Sequence, residues 1–138
     1  MKLNPYLAFD GRCGEAFEFY EKTFRGRIVF IQKIGDSPMA SGMPPEAHDR
    51  IMHVTLHIGD QVLQGADAPP GQFTKPAGFC VATHFDDAAE AERVFNTLAQ
   101  NGKVQMPFQP TFWAKGFGML VDQFGTPWIV NADQVTGT

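Results

Sequence analysis

The chain is short of the residues that carry covalent and metal-borne chemistry, and each shortage excludes something. Only two cysteines occur in 138 residues, Cys13 and Cys80. They follow no CxxC spacing and allow at most one bridge, so free thiols in a reducing compartment, the cytoplasm, are expected. Basic residues are scarce as well: 11 Lys and Arg against 15 Asp and Glu give a net charge of -4. Counterion release at a phosphate backbone needs a basic patch, so nucleic acid is not an expected partner. No stretch approaches the ~18 apolar residues of a membrane span, and Met1 to Asp10 lacks the apolar run of a secretory leader. No membrane partner is expected either. Glycine is plentiful but never falls in a GxxxxGK[ST] loop, a GxGxxG turn or a GxSxG elbow, and HExxH is absent. Nucleotide binding, serine hydrolysis and zincin chemistry therefore lose their usual sequence support.

What is present is aromatic bulk without polar handles: 13 Phe, but only 2 Tyr and 2 Trp. Phe supplies area and shape, which suits either a core or the wall of an apolar cavity. The length fits one domain. Leu3 to Phe9 is a short apolar stretch ended by Asp10-Gly11, which predicts a strand. Ala16, Phe17, Phe19, Tyr20 and Phe24 recur at helical spacing between Gly14 and Arg25. Strands follow over 27–34, 51–58 and 61–66, the last two joined at Gly59-Asp60, and residues 35–49 form an irregular loop. A Pro-rich connection over 68–77 comes next. The order then restarts, with a strand over 78–85, a helix over 88–100, and strands over 103–106, 117–121 and 127–131.

Both halves thus have the order β-α-β-β-β. Pairing Ala16 with Ala91 and Tyr20 with Phe95 aligns the helices, and Ala66-Asp67 pairs with Ala132-Asp133 at the end. The sequence predicts an α+β fold of two βαβββ modules within a single domain spanning 1–138. Module one covers about 1–67, the linker about 68–77, and module two about 78–134.

Two such modules resemble the vicinal oxygen chelate superfamily, which includes glyoxalase I, ring-cleaving dioxygenases and bleomycin-resistance proteins. Asn4-Pro5-Tyr6-Leu7-Ala8-Phe9-Asp10-Gly11, with Glu15-Ala16 and Phe19-Tyr20, is similar to the opening of its PhnB-like branch. Ile51-Met52-His53, Thr111-Phe112-Trp113 and Asp122-Gln123-Phe124-Gly125-Thr126-Pro127-Trp128 resemble later signatures of that branch. The resemblance implies curved sheets, each covered by a helix on one face and open to a cavity on the other, and it implies a homodimer. Members of the branch have been labelled as demethylubiquinone methyltransferases.

Strand alternation then allocates side chains. Leu7 and Phe9 would face the helix, leaving Asn4, Tyr6 and Ala8 opposite; Met52, Val54 and Leu56 would face the helix, leaving His53 and Thr55 opposite. His53 is open to two readings, a ligand contact or a side chain simply hydrogen-bonded beside Thr55. Trp113 and Trp128 are equally divided between ligand and core. Asp122 opens a turn and is expected to bond to backbone two residues on. Asp67 is expected in a solvated loop.

Metal-using members of the superfamily place ligands on the first and last strands of each module. Carried over, those positions fall at or beside Asn4, at Leu63 or Gln64, near Cys80 and at Ile129, which is not a donor set for zinc, iron or manganese. No metal and no cofactor are expected. The leading expectation is a metal-independent protein that binds or sequesters a small, partly apolar molecule between the modules, with Tyr6, His53, Gln64, Phe112, Trp113 and Trp128 around the ligand. The alternative is a lyase, isomerase or dioxygenase that recruits metal through His53, Gln64 and a substrate oxygen. A methyltransferase is third, for want of a nucleotide-cofactor loop.

Overall fold

The computed structural model describes residues 1–133. They divide into two compact units, one over Met1–Thr74 and a second starting at Lys75. Each is a four-stranded sheet with one helix. Module one contains β1 (Tyr6–Phe9), α1 (Cys13–Thr23), β2 (Arg27–Lys33), β3 (Ile51–Ile58) and β4 (Gln61–Asp67), in sheet order β1-β4-β3-β2. Module two contains β5 (Val81–Phe85), α2 (Ala88–Leu98), β6 (Lys103–Gln109), β7 (Ala114–Val121) and β8 (Pro127–Asp133), in order β5-β8-β7-β6. In each, the first and last strands pair in parallel, as a helical crossover allows, and the remaining pairs are antiparallel. Two βαβββ modules are therefore the architecture of the chain. The outer limit expected for module two, residue 134, lies outside the described residues.

The boundaries differ from the sequence expectation where local chemistry intervenes. β1 begins at Tyr6 rather than Leu3, because Pro5 has no N–H to give a ladder; its carbonyl still accepts from the Gln64 amide at 3.2 Å. β6 runs to Gln109 through Pro107, which is tolerated because β6 is an edge strand and its register slips between Met106 and Gln109. The loop after β2 contains three short 3-10 turns and is closed by His48, whose Nε2 lies 2.9 Å from the Ala40 carbonyl.

In module one the helix face of the sheet carries Leu7, Phe9, Val54, Leu56 and Leu63, all buried against Ala16, Phe17 and Tyr20 of α1. Phe17 meets Phe9 edge-on at 6.0 Å and Tyr20 at 5.5 Å. This close approach requires Gly65, where a Cβ would sit 2.7 Å from Phe17 Cε1. In module two Gly118 does the same for Phe95, with a would-be Cβ at 2.6 Å from Cε2. Trp128, Val130, Ala132 and Leu120 complete that core.

The two helices are capped differently. α2 has a local cap, Asp87, which accepts from the Ala89 and Glu90 amides at 3.3 Å. α1 has no cap from its own first residue. Asp67, expected in a solvated loop, is instead the last residue of β4 and is 7% exposed. Its Oδ1 accepts from Gly11 N at 2.7 Å and Cys13 N at 3.1 Å, and its Oδ2 from Ile51 N at 2.8 Å. One carboxylate thereby satisfies the opening of α1 and the start of β3 together.

Beside it lies Cys13, fully buried. Burial first, and the Asp67 carboxylate second, push its thiol far above the ordinary range. The folded thiol keeps its proton where the unfolded one, titrating near about 8.5, has lost it, so stability should fall as pH rises above that value, at up to about 1.4 kcal/mol per pH unit. Urea unfolding from pH 7 to 10 should show this decline in the native chain and a shallower one in Cys13→Ala. Parallel profiles would contradict it.

Candidate functional site

The sheet faces not covered by helices hold the candidate chemistry. In module one, strand pairing sets Tyr6, Gln64, Thr55 and Phe30 in one row across β1, β4, β3 and β2, with His53 against Gln32 in the next. The polar members are bonded into a chain. Asn4 Nδ2 donates to Gln64 Oε1 at 2.9 Å, and Gln64 Nε2 donates to Thr55 Oγ1 at 3.1 Å. Thr55 Oγ1 lies 3.1 Å from His53 Nε2, and His53 Nδ1 lies 2.9 Å from the Tyr6 hydroxyl. The Tyr6 and His53 rings stack at 5.6 Å, and Phe30 flanks the imidazole at 5.8 Å.

Proton counting shows what this chain can do. A neutral His53 has one N–H, and Tyr6 and Thr55 each have one O–H, so three protons serve two contacts. If Tyr6 donates to Nδ1, then Nε2–H donates to Thr55 and the Thr55 proton is free. If Nδ1–H donates to Tyr6, then Thr55 donates to Nε2 and the Tyr6 proton is free. Either tautomer leaves one hydroxyl able to donate to an incoming oxygen. Burial, with a smaller contribution from Cys13, holds the Tyr6 phenol above its usual range, so the proton stays available at neutral pH.

The structure brings Tyr6, His53 and Gln64 together, and Asn4 and Thr55 with them. Phe30 is an addition, read only as part of a strand from the sequence. On module two, Phe112 and Trp113 meet edge-on at 4.8 Å, and Trp113 meets Phe117 at 5.4 Å. Phe112 is 95% exposed. Trp128 is not on this face. It is 2% exposed, in register with Leu120 and Val81, and its Nε1 donates to Asp122 Oδ2 at 2.8 Å. Asp122 Oδ1 accepts from Phe124 N and Thr126 N, so the expected turn role is present and Trp128 is tied into it. An open groove of about 880 Å3 in module two touches the edge of Trp128, together with Phe79, Cys80, Lys103 and Met119. It contains neither of the polar clusters on the open faces.

The row of module two that corresponds to Tyr6-Gln64-Thr55-Phe30 is apolar: Ala82, Ile129, Met119 and Met106. Ile129 takes the place of Gln64 there. Of the positions that the resemblance assigns to metal ligands, at or beside Asn4, at Leu63 or Gln64, near Cys80 and at Ile129, Asn4 and Gln64 are bonded to each other and Leu63 is buried on the helix side. Among the described residues no three His, Cys, Asp or Glu lie close enough to hold a metal ion. Neutral amides and an alkyl chain give no charge compensation to a divalent cation, so this set does not fit one.

Comparison with known proteins identifies the family. The chain is 34% identical to protein YjdN of Escherichia coli, over 95% of each chain. It is 41% identical to the structure of PA1353 from Pseudomonas aeruginosa, with a TM-score of 0.89 over 97% of this chain and 98% of that one. A PhnB protein from Bacillus cereus, described as a 3-demethylubiquinone-9 3-methyltransferase, is 25% identical with a TM-score of 0.79, over 96% and 99%. The fold alone is shared with FosX, a fosfomycin resistance protein of Listeria monocytogenes, at 8% identity and a TM-score of 0.66, over 99% and 95%. The family model described as 3-demethylubiquinone-9 3-methyltransferase matches residues 1–131. The chain belongs to that family, which includes the PhnB protein it resembles, and it shares with FosX the fold that the resemblance to the vicinal oxygen chelate superfamily implied.

Proposed function

We propose that this protein binds or sequesters a small, oxygen-bearing, partly apolar molecule on the open face of module one, without a resident metal. The observation that carries this reading is the Tyr6–His53–Thr55–Gln64 chain, which keeps a hydroxyl donor free in either tautomer. Phe30 supplies apolar surface beside it. Phe112 and Trp113 offer exposed apolar rings on module two, a ligand surface of that module's own. Trp128 has too little exposed surface to share that role and acts in the core.

A fragment library of small carbonyl and hydroxyl compounds, screened in chelator by amide chemical shifts, tests the proposal. Hits should move the signals of Tyr6, His53, Thr55 and Gln64 and should vanish in His53→Ala. Hits that scatter over the surface or survive the substitution would overturn it. The rival reading is a lyase, isomerase or dioxygenase that recruits metal with its substrate. Equilibrium dialysis against zinc and manganese, with and without a hit, separates the two; stoichiometric metal uptake with the hit present would favour the enzyme. The family's methyltransferase description predicts binding of S-adenosylmethionine, which calorimetry should fail to detect.

The same reading includes a cytoplasmic homodimer. Its support is the exposed apolar edges: Val29, Phe30 and Ile31 on β2, Val104 and Met106 on β6. No helix among the described residues is long and apolar enough to cross a membrane. Sedimentation should give twice the chain mass of 15.2 kDa, and a species at that mass would contradict the dimer.

A further inference from the structure

Module two carries a second polar cluster that the site above does not use. Register places His84, Asn131, Phe117 and Gln109 in one row across β5, β8, β7 and β6. Asn131 Nδ2 donates to Asp133 Oδ1 at 2.5 Å, and this fixes the amide orientation, since the reverse would press two acceptor oxygens together. Asn131 Oδ1 consequently faces away from the carboxylate. It is buried and has no donor among the described residues, and the whole residue is only 9% exposed. A buried amide oxygen without a donor is costly and marks a place where one is supplied from outside.

The surroundings specify the donor. Asp133 contributes negative charge on one side. Phe117 pairs across the strands with Asn131, and Trp113 meets it edge-on at 5.4 Å, so aromatic rings share this corner of the sheet. The nearby cation, Lys115, is occupied, its Nζ donating to the Asp86 carbonyl. His84 Nδ1 lies 3.2 Å from Asn131 Nδ2 and 3.4 Å from Asp133 Oδ1, so an imidazolium pairs with the carboxylate and competes with an incoming cation, whereas a neutral ring accepting from the amide does not. Acceptor oxygens, a carboxylate and aromatic faces repel anions and suit a cation with N–H groups.

We propose that this corner of module two binds a protonated amine carried on an apolar group, with the N–H donating to Asn131 Oδ1, the charge balanced by Asp133 and the apolar part against Phe117 and Trp113. Phenethylammonium, its N,N,N-trimethyl analogue and 3-phenylpropionate are the probes, titrated into the full chain and followed through the backbone amide signals of residues 117 and 131, which every variant retains. Phenethylammonium should saturate, the trimethyl compound, which lacks N–H, should bind at least tenfold more weakly, and the carboxylate should not bind. Asn131→Leu should weaken phenethylammonium at least tenfold. Should that variant not fold, Asp133→Asn, at a partly exposed position, should show the same loss. Equal binding of all three probes, no binding of phenethylammonium at millimolar concentration, as when water alone fills the position, or unchanged affinity in both variants would overturn the proposal.

Discussion

Replacing Asp67 with Ala should lower the unfolding free energy by about 3–5 kcal/mol, because it strips three backbone amides of a charged acceptor. The carboxylate is 7% exposed and accepts from Gly11, Cys13 and Ile51 amides. Its loss leaves three backbone donors without an acceptor, two of them at the start of α1, whose own first residue provides no cap. Each unsatisfied buried donor costs about 1–3 kcal/mol, and water entering the space recovers part of the sum. Asp67→Asn is the sharper comparison. It keeps one acceptor oxygen for Gly11 and Cys13 but turns an NH2 toward the Ile51 amide, so an intermediate loss is expected. Urea unfolding monitored by circular dichroism measures both; a loss below about 1 kcal/mol for Ala would show that the cap is dispensable.

The second large effect concerns Trp128, whose role the sequence left divided. Trp128→Ala should cost about 3–5 kcal/mol, since it removes one of the largest fully buried side chains of module two and leaves a cavity under α2. It also removes the indole N–H that donates to Asp122 Oδ2 at 2.8 Å. Trp128→Phe retains most of the ring but not the donor, so its cost should be smaller, about 1–3 kcal/mol, for the lost indole–carboxylate hydrogen bond. Neither substitution should abolish binding of a fragment to module one. Trp128→Ala that unfolds like the native chain but loses ligand would restore the indole to the binding surface.

These two residues show where sequence was readable and where it was not. Alternation placed Leu7, Phe9, Val54 and Leu56 on the helix side because strand parity is local; Met52, counted with them, is only half-buried, and Ile51 packs beside Gly14 of α1 instead, where the register with β2 slips between Gln32 and Lys33. The same parity, counted from Ile129 and Asn131 on the open face, already sets Trp128 on the opposite side; its aromatic chemistry pointed to a ligand, its register to the core, and register prevailed. The role of Asp67 was not readable, because it depends on the end of β4 coming to rest beside a helix that starts 54 residues earlier. Nothing in Ala66-Asp67-Ala68 announces that approach.

At the candidate site, Tyr6, His53 and Gln64 were legible for the same reason as the core: each sits in the polar phase of its strand. Phe30 was not, since the register slip between Ile28 and Phe30 changes which residues of β2 share the open face. The His84–Asn131–Asp133 cluster was also passed over. Its members lie in phase on β5 and β8, but the metal-position argument drew attention to Cys80 and Ile129 instead.

The most direct test of metal-free binding at the His53 face is the affinity of the strongest fragment hit, measured in chelator for the native chain, Tyr6→Phe and His53→Ala. Loss of the Tyr6 hydroxyl should weaken it by about tenfold, a difference of ~1.4 kcal/mol, and loss of the imidazole that orients both the Tyr6 and Thr55 hydroxyls should bring it below detection, while the thermal midpoint falls only slightly. Unchanged affinity in both variants, or affinity that appears only when zinc or manganese is restored, would contradict the account.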